Sequence, residues 1–180
     1  MSASSRSSPT LPAETFRWRP LQPADLDAVM AVAGVVHPTF PERRETFADK
    51  LALAPDCNFA LEGGDGALAG YAVALPWRTG EVVALDAVYG ALPEPCDVLY
   101  IHDIALLPAA RGRALAGDAV ALLVAAARRR GLAQLSLTAV YGADAVWARH
   151  GFGEISNPGL RAKLASYGEA ARYMVRTTEA

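Results

Sequence analysis

The chain predicts an α/β domain, and three stretches carry that prediction. Val98 to Leu107 is a near-continuous apolar run, the mark of a strand buried on both faces. Pro108 breaks it, a short basic loop Arg111-Gly112-Arg113 follows, and an Ala/Leu/Val-rich helix runs on to Arg130. Two further apolar segments, Asn58 to Glu62 and Ala67 to Leu75, flank Gly63-Gly64-Asp65-Gly66 and read as a hairpin.

The remaining elements come in chain order. Met1 to Thr15 is rich in Ser and Pro and reads as a mobile tail, with 16–180 as one domain. Phe16 to Arg19 reads as a first strand, ended by Pro20 and Pro23. Ala24 to Val35 carries an apolar stripe at helical spacing. The loop His37-Pro38-Thr39-Phe40-Pro41 leads to a second helix from Glu42 to Leu53. After the hairpin, Pro76 to Asp97 reads as irregular, long for a connection inside a compact domain, and such loops often serve function. Gly131 closes the long helix, with Arg128, Arg129 and Arg130 in its last turn where cations meet the helix dipole favourably. Gln134 to Val140 then reads as a strand, Ala143 to His150 as a short helix stopped by Gly151, Phe152 to Ile155 as a strand, and Tyr173 to Thr177 as the last one.

Composition narrows the function classes. At 180 residues, 52% apolar and 20% charged, the chain suits one sizeable core. A net charge of −2 makes no general case for nucleic acid or an anionic membrane. Cys57 and Cys96 have no metal-ligand spacing and suit a reducing, cytoplasmic setting. No run of about 18 apolar residues suggests a membrane span. Arg111 and Arg113 stand at the unfavourable end of the long helix for a cation, which makes an anionic partner there the natural explanation. The loop lacks the lysine and spacing of a nucleotide-hydrolase phosphate loop.

The strand ending Ile104-Ala105-Leu106-Leu107-Pro108 and the loop Arg111-Gly112-Arg113-Ala114-Leu115-Ala116 resemble the cofactor motif of the GNAT N-acetyltransferase superfamily, L-x-V-x-P followed by [R/Q]-x-x-G-x-[G/A]. A second patch agrees in order and separation: Leu135-Ser136-Leu137, then Val146-Trp147-Ala148-Arg149-His150-Gly151-Phe152, is similar to that family's F-Y-x-x-x-G-F ending. The resemblance spans roughly residues 16–177 and is specific over 98–117 and 133–153. It implies a mixed, mostly antiparallel central sheet with a splayed strand pair, flanked by helices. It further implies acetyl-CoA as co-substrate with no metal, a small-molecule or peptide amine as acceptor, and room for a homodimer.

Two departures stand out. Ala114 takes the place of the first motif glycine. We expect it in the first helical turn, where alanine is comfortable and its methyl points away from a pyrophosphate. Trp147 takes the place of a tyrosine whose phenol can protonate the leaving thiolate; an indole N–H cannot. These departures keep a non-catalytic acyl-CoA-binding or regulatory domain in view beside the enzyme.

By resemblance, the amides near Ile104, Ala105 and Leu106 hold the pantetheine arm, and Arg111, Gly112, Arg113, Ala114, Leu115, Ala116 and Gly117 cradle the phosphates, with Trp147 as cover or as core. His102 is the candidate base, since some family members use a histidine at this strand position and an imidazole titrates near neutrality. Two-residue alternation puts it on the face of Tyr100 and Ile104, with Asp103 on the opposite face as a structural partner for a helix or loop donor. Tyr141 is the candidate acid. His37 borders the acceptor cleft, and Glu42, Glu45, Glu81 and Asp86 are acids that would draw a cationic amine. His150 is read as meeting the end of its helix.

Overall fold

The computed structural model describes residues 15–156, 158–164, 167–168 and 170–179, so the expected tail lies almost wholly outside it. The strands are β1 (Phe16–Pro20), β2 (Asn58–Gly63), β3 (Leu68–Trp77), β4 (Val98–Leu106), β5 (Gln134–Ala139), β6 (Gly153–Glu154) and β7 (Arg172–Thr177). The helices are α1 (Leu26–Val36), α2 (Arg44–Leu53), α3 (Leu115–Arg129), α4 (Asp144–Arg149) and α5 (Pro158–Leu164). The strands form one seven-stranded sheet in the order β1-β2-β3-β4-β5-β7-β6. Every neighbouring pair is antiparallel except β4 with β5.

Each face of the sheet carries its own core. Leu26, Val29 and Val32 of α1, with Phe47 and Leu51 of α2, pack on Tyr71, Val73 and Ala105. On the other face Val120, Leu123, Val124 and Ala127 of α3 cover Ala72, Ala74, Leu99, Ile101, Leu135 and Leu137. That double coverage is why the middle strands read as continuous apolar runs.

Three elements differ from the sequence reading. β3 runs on through Pro76 to Trp77. β2 stops pairing with β3 at Val73, which leaves an unpaired edge beside Pro76, where a strand tolerates a missing N–H. The last strands are separated by α5, opened by Pro158 in the first-turn position that favours proline. β6 is only two residues long.

The connection from Arg78 to Asp97 has no regular structure but is fastened along its length. Asp49 of α2 accepts from the amides of Tyr89 (2.8 Å) and Gly90 (3.0 Å). Gly80 N–H donates to the Tyr173 hydroxyl at 3.0 Å, and the Tyr167 hydroxyl donates to the Val83 carbonyl.

Two irregularities in β4 open and reshape its C-terminal half. Its parallel pairing with β5 covers only Leu99↔Leu135 to Ile101↔Leu137. Beyond that the strands part, and Asp103 to Leu106 pair with β3 alone. The β3 register steps from Val73↔Asp103 to Ala74↔Ile101, so His102 is the extra residue of a bulge.

Candidate active site

The bulge overturns the alternation expected along β4. One inserted residue shifts the phase, so His102 and Asp103 line the same cavity together with Tyr100. Ile104, expected beside His102, packs instead against the core on the α3 side. The cavity measures about 280 Å³ and lies between α1, the loop after it, and the point where β4 and β5 separate.

Two imidazole–carboxylate pairs stand in its wall. His102 Nε2 lies 2.8 Å from Glu42 Oε1, and the side chains are only 2% and 7% exposed. His37 Nε2 lies 2.9 Å from Asp103 Oδ1, and the other oxygen of Asp103 accepts from the Tyr71 hydroxyl at 2.5 Å. An ionised carboxylate can only accept, so in each pair Nε2 carries the hydrogen and, in the neutral ring, Nδ1 keeps the lone pair. Asp103 thus has the loop partner expected of it, but inside the cavity.

The charges are balanced from outside the cavity. Glu42 Oε2 accepts from the Asp86 amide at 2.8 Å and lies 3.8 Å from the fully buried Lys50 Nζ. Burial alone would raise the Glu42 carboxyl, but the His102 hydrogen bond and the charges of His102 and Lys50 hold it below its ordinary value. Burial pushes the Lys50 ammonium down, against the opposing pull of Glu42, Asp49 and Asp86. Burial would likewise lower His37, yet the hydrogen bond and charge of Asp103, with Glu42 behind, raise it. The Tyr71 phenol is driven far up by burial and by Asp103. Of the four acids expected at the cleft, only Glu42 lines it; Asp86 pairs with Arg43 at 2.8 Å.

Tyr141 follows β5 and is 58% exposed, in a left-handed conformation at φ +55°. Its hydroxyl meets that of Thr39 at 2.8 Å, and its ring stacks on His37 with centroids 6.2 Å apart. It bridges the loop after α1 to the end of β5, across the gap where the strands diverge. Trp147 packs edge-on against Phe152 at 5.8 Å and beside His150, consistent with core filling. His150 caps the C-terminal end of α4, as expected, and also lies against Gly117, where an added Cβ would stand 3.4 Å from its ring.

The basic loop lies on the other side of the gap. Gly112 takes φ +73°, and Arg111 Nε donates to the Leu106 carbonyl at 3.0 Å. Arg113 stacks its guanidinium over Phe16 at 5.3 Å. Ala114 is not in the first helical turn: it is the N-cap, left-handed at φ +61°, with no capping hydrogen bond from its side chain. The reason is geometric, because the chain must reverse between Arg113 and α3 in the conformation that favours glycine. The β5-side edge of β4 beyond Ile101 and the opening turn of α3 both leave backbone N–H groups without a partner from strand or helix. Among the described residues no group of three or more His, Cys, Asp or Glu is placed to hold a metal ion, and no helix is long and apolar enough to cross a membrane.

Residues 26–152 match the sequence model of the acetyltransferase (GNAT) family, and the chain belongs to that family. A search of curated protein sequences finds no significant match. Among solved structures it is similar to Ard1 from Thermoplasma volcanium, at TM-score 0.68 and 15% identity, covering 92% of this chain and 97% of that one. It is also similar to the GNAT family N-acetyltransferase YhbS from Escherichia coli in complex with CoA, at 0.60 and 17%, covering 95% and 86%. Nourseothricin acetyltransferase gives 0.61 and 21%, covering 91% and 98%. At these identities the likeness is one of fold.

Proposed function

We propose that the chain transfers an acetyl group from acetyl-CoA to a primary amine by direct attack. The observation that carries this reading is the free β5-side edge of β4 from His102 to Leu106, opening beside a cavity walled by the His102–Glu42 pair. In the reaction, a bond forms between the amine nitrogen and the acyl carbon while the carbon–sulfur bond breaks. The amine proton leaves to a base and the thiolate takes one up.

Each need has a candidate in this chain. Acetyl-CoA supplies the activated acyl group. The amides of Ile104 and Leu106, which alternation turns to the free edge while that of Ala105 faces β3, would bind the pantetheine and donate to the acyl oxygen, where one backbone donor is worth about 3 kcal/mol. Arg111 to Gly117 would hold the phosphates. His102, fixed by Glu42 in the tautomer that leaves Nδ1 basic, takes the amine proton. Tyr141, held at the mouth by Thr39, is the proposed donor to the leaving thiolate.

The strained Ala114 and the packed Trp147 favour a second reading, an acyl-CoA-binding domain without turnover. Incubation with acetyl-CoA and a panel of amines, scored by free thiol and acetylated product, separates the two. Thermal shift with acetyl-CoA, desulfo-CoA and ATP tests binding alone. Ligand at about 100 times its Kd adds about 2.7 kcal/mol. A shift with acetyl-CoA but without product in any amine supports the binding domain; His102→Ala with undiminished turnover removes His102 as base.

A further inference from the structure

The cavity beside β4 says more about its occupant than that it is an amine. Its polar wall contains two carboxylates, Glu42 and Asp103, and the imidazoles paired with them, but no lysine or arginine. The nearest cations are already engaged elsewhere. Lys50 is fully buried against Glu42 and the carbonyls of Thr46 and Ala87. Arg43 turns out to Asp86, and Arg111 stands outside the lining with its Nε on the Leu106 carbonyl, near enough for its charge to act on His37. A carboxylate or phosphate brought into this space would lose its water and face the like charge of Glu42 and Asp103, with no ammonium or guanidinium in the wall to pair with it.

Met30, Ala33, Phe40, Phe47, Leu85 and Val140 make the apolar part of the wall, and the hydroxyls beside them are already bonded, Tyr71 to Asp103, Tyr100 with Thr138 and Tyr167 to the Val83 carbonyl. At about 280 Å³ the cavity equals roughly nine water volumes of about 30 Å³ each, room for about ten non-hydrogen atoms. Gly34 of α1 also lines it. Glycine weakens a helix by about 0.5–1 kcal/mol relative to alanine. Nothing in the fold requires it here, since its backbone is helical and an added Cβ would meet no atom within 4 Å. The space in front of Gly34 belongs to the cavity.

We propose that the acceptor is a compact primary amine with an apolar body and no acidic group, and that Gly34 sets how large that body can be. This rests on the transferase reading, since it names the acceptor of the same site. The ammonium is drawn by Glu42 and Asp103, and the hydrocarbon lies along α1 and Phe47.

Paired probes that differ only by an α-carboxylate test it: 2-phenylethylamine against phenylalanine, and 3-methylbutylamine against leucine, with trialanine for a peptide amino terminus. Calorimetric titration into the protein with CoA present measures binding, and thiol release from acetyl-CoA measures turnover. The expected result is at least tenfold tighter binding of each amine than of its amino acid or of the peptide. Gly34→Leu should weaken 2-phenylethylamine at least tenfold, while Val35→Leu, at an exposed position outside the cavity, leaves it unchanged. Equal or tighter binding of an amino acid or of trialanine overturns the proposal, as does a Gly34→Leu protein that binds 2-phenylethylamine normally. Turnover with amino acids or the peptide alone rejects this acceptor class and leaves the transferase standing. Tight amine binding with no turnover does the reverse.

Discussion

Glu42 and His102 are sixty residues apart in the chain and 2.8 Å apart in the fold, the imidazole Nε2 donating to Oε1 in a site that is almost closed to solvent. The same carboxylate faces the buried Lys50 through its other oxygen, so one acid holds two basic groups.

Removing that acid should therefore be costly. Glu42→Ala leaves Lys50 buried without its counter-charge, a loss of about 3 kcal/mol. For a chain of this size that lowers Tm by about 6–12 °C. Lys50→Met added to Glu42→Ala should recover part of the loss, a coupling that thermal melts of the double-mutant cycle read directly.

The His37–Asp103 pair should make stability depend on pH in a defined direction. The fold raises His37 above its ordinary 6.5, so it favours the protonated ring. Its contribution is then fully present below pH 6.5 and fades as pH rises through the raised folded value. Melts of His37→Gln and the parent protein should differ most below pH 6.5 and converge as pH rises through the raised folded value. Glu42 acts oppositely: held below its ordinary 4.5, it contributes above that pH, and the contribution is lost as pH falls through the lowered folded value. A His37→Gln gap that widens with rising pH contradicts the assignment.

Ala114 should be replaceable to advantage. At φ +61° its Cβ is strained by about 1 kcal/mol, and glycine relieves this at some cost in unfolded-state entropy. Ala114→Gly should raise Tm by about 1–3 °C. It should also tighten acetyl-CoA binding, whereas Ala114→Val should lower both. Calorimetry with acetyl-CoA gives the second readout.

Tyr141 and Thr39 separate a bridge from an acid. Their hydroxyl contact is exposed, so Tyr141→Phe and Thr39→Ala should each change stability by no more than about 0.5 kcal/mol. If the phenol supplies the thiolate proton, Tyr141→Phe lowers kcat while Thr39→Ala does so weakly. Equal losses in both would assign the pair to closing the cavity mouth.

Gly70 of β3 has no room for a side chain beside β4. A Cβ there would stand 2.6 Å from the Ala105 carbonyl oxygen, so Gly70→Ala must force the strands apart beside the proposed thioester site. The expected cost is about 1–3 kcal/mol, with weaker acetyl-CoA binding in calorimetry.

Much of this molecule was legible locally. The apolar run at Val98 to Leu107, the turn glycines at 63–66 and the glycine stops at Gly131 and Gly151 act through neighbours a few residues away, and the strands and helices lie where those signals put them. Two ordered motifs were enough for the family. What could not be read was phase and partnership. Strand alternation placed His102 and Asp103 on opposite faces, and a single bulge put both in one cavity. Strain was equally hidden at Ala114, since helix propensity describes the residues inside α3 and not the reversal that starts it. His37, Glu42, Lys50 and Tyr71 come together from α1, α2, β3 and the loops between because sheet pairing fixes contacts over long separations, where no local pattern marks them. The sequence by itself determined the family and the elements apart from α5 and the ends of β3 and β6; only the tertiary structure decided which acid meets which base, because that depends on strand register and packing rather than on spacing along the chain.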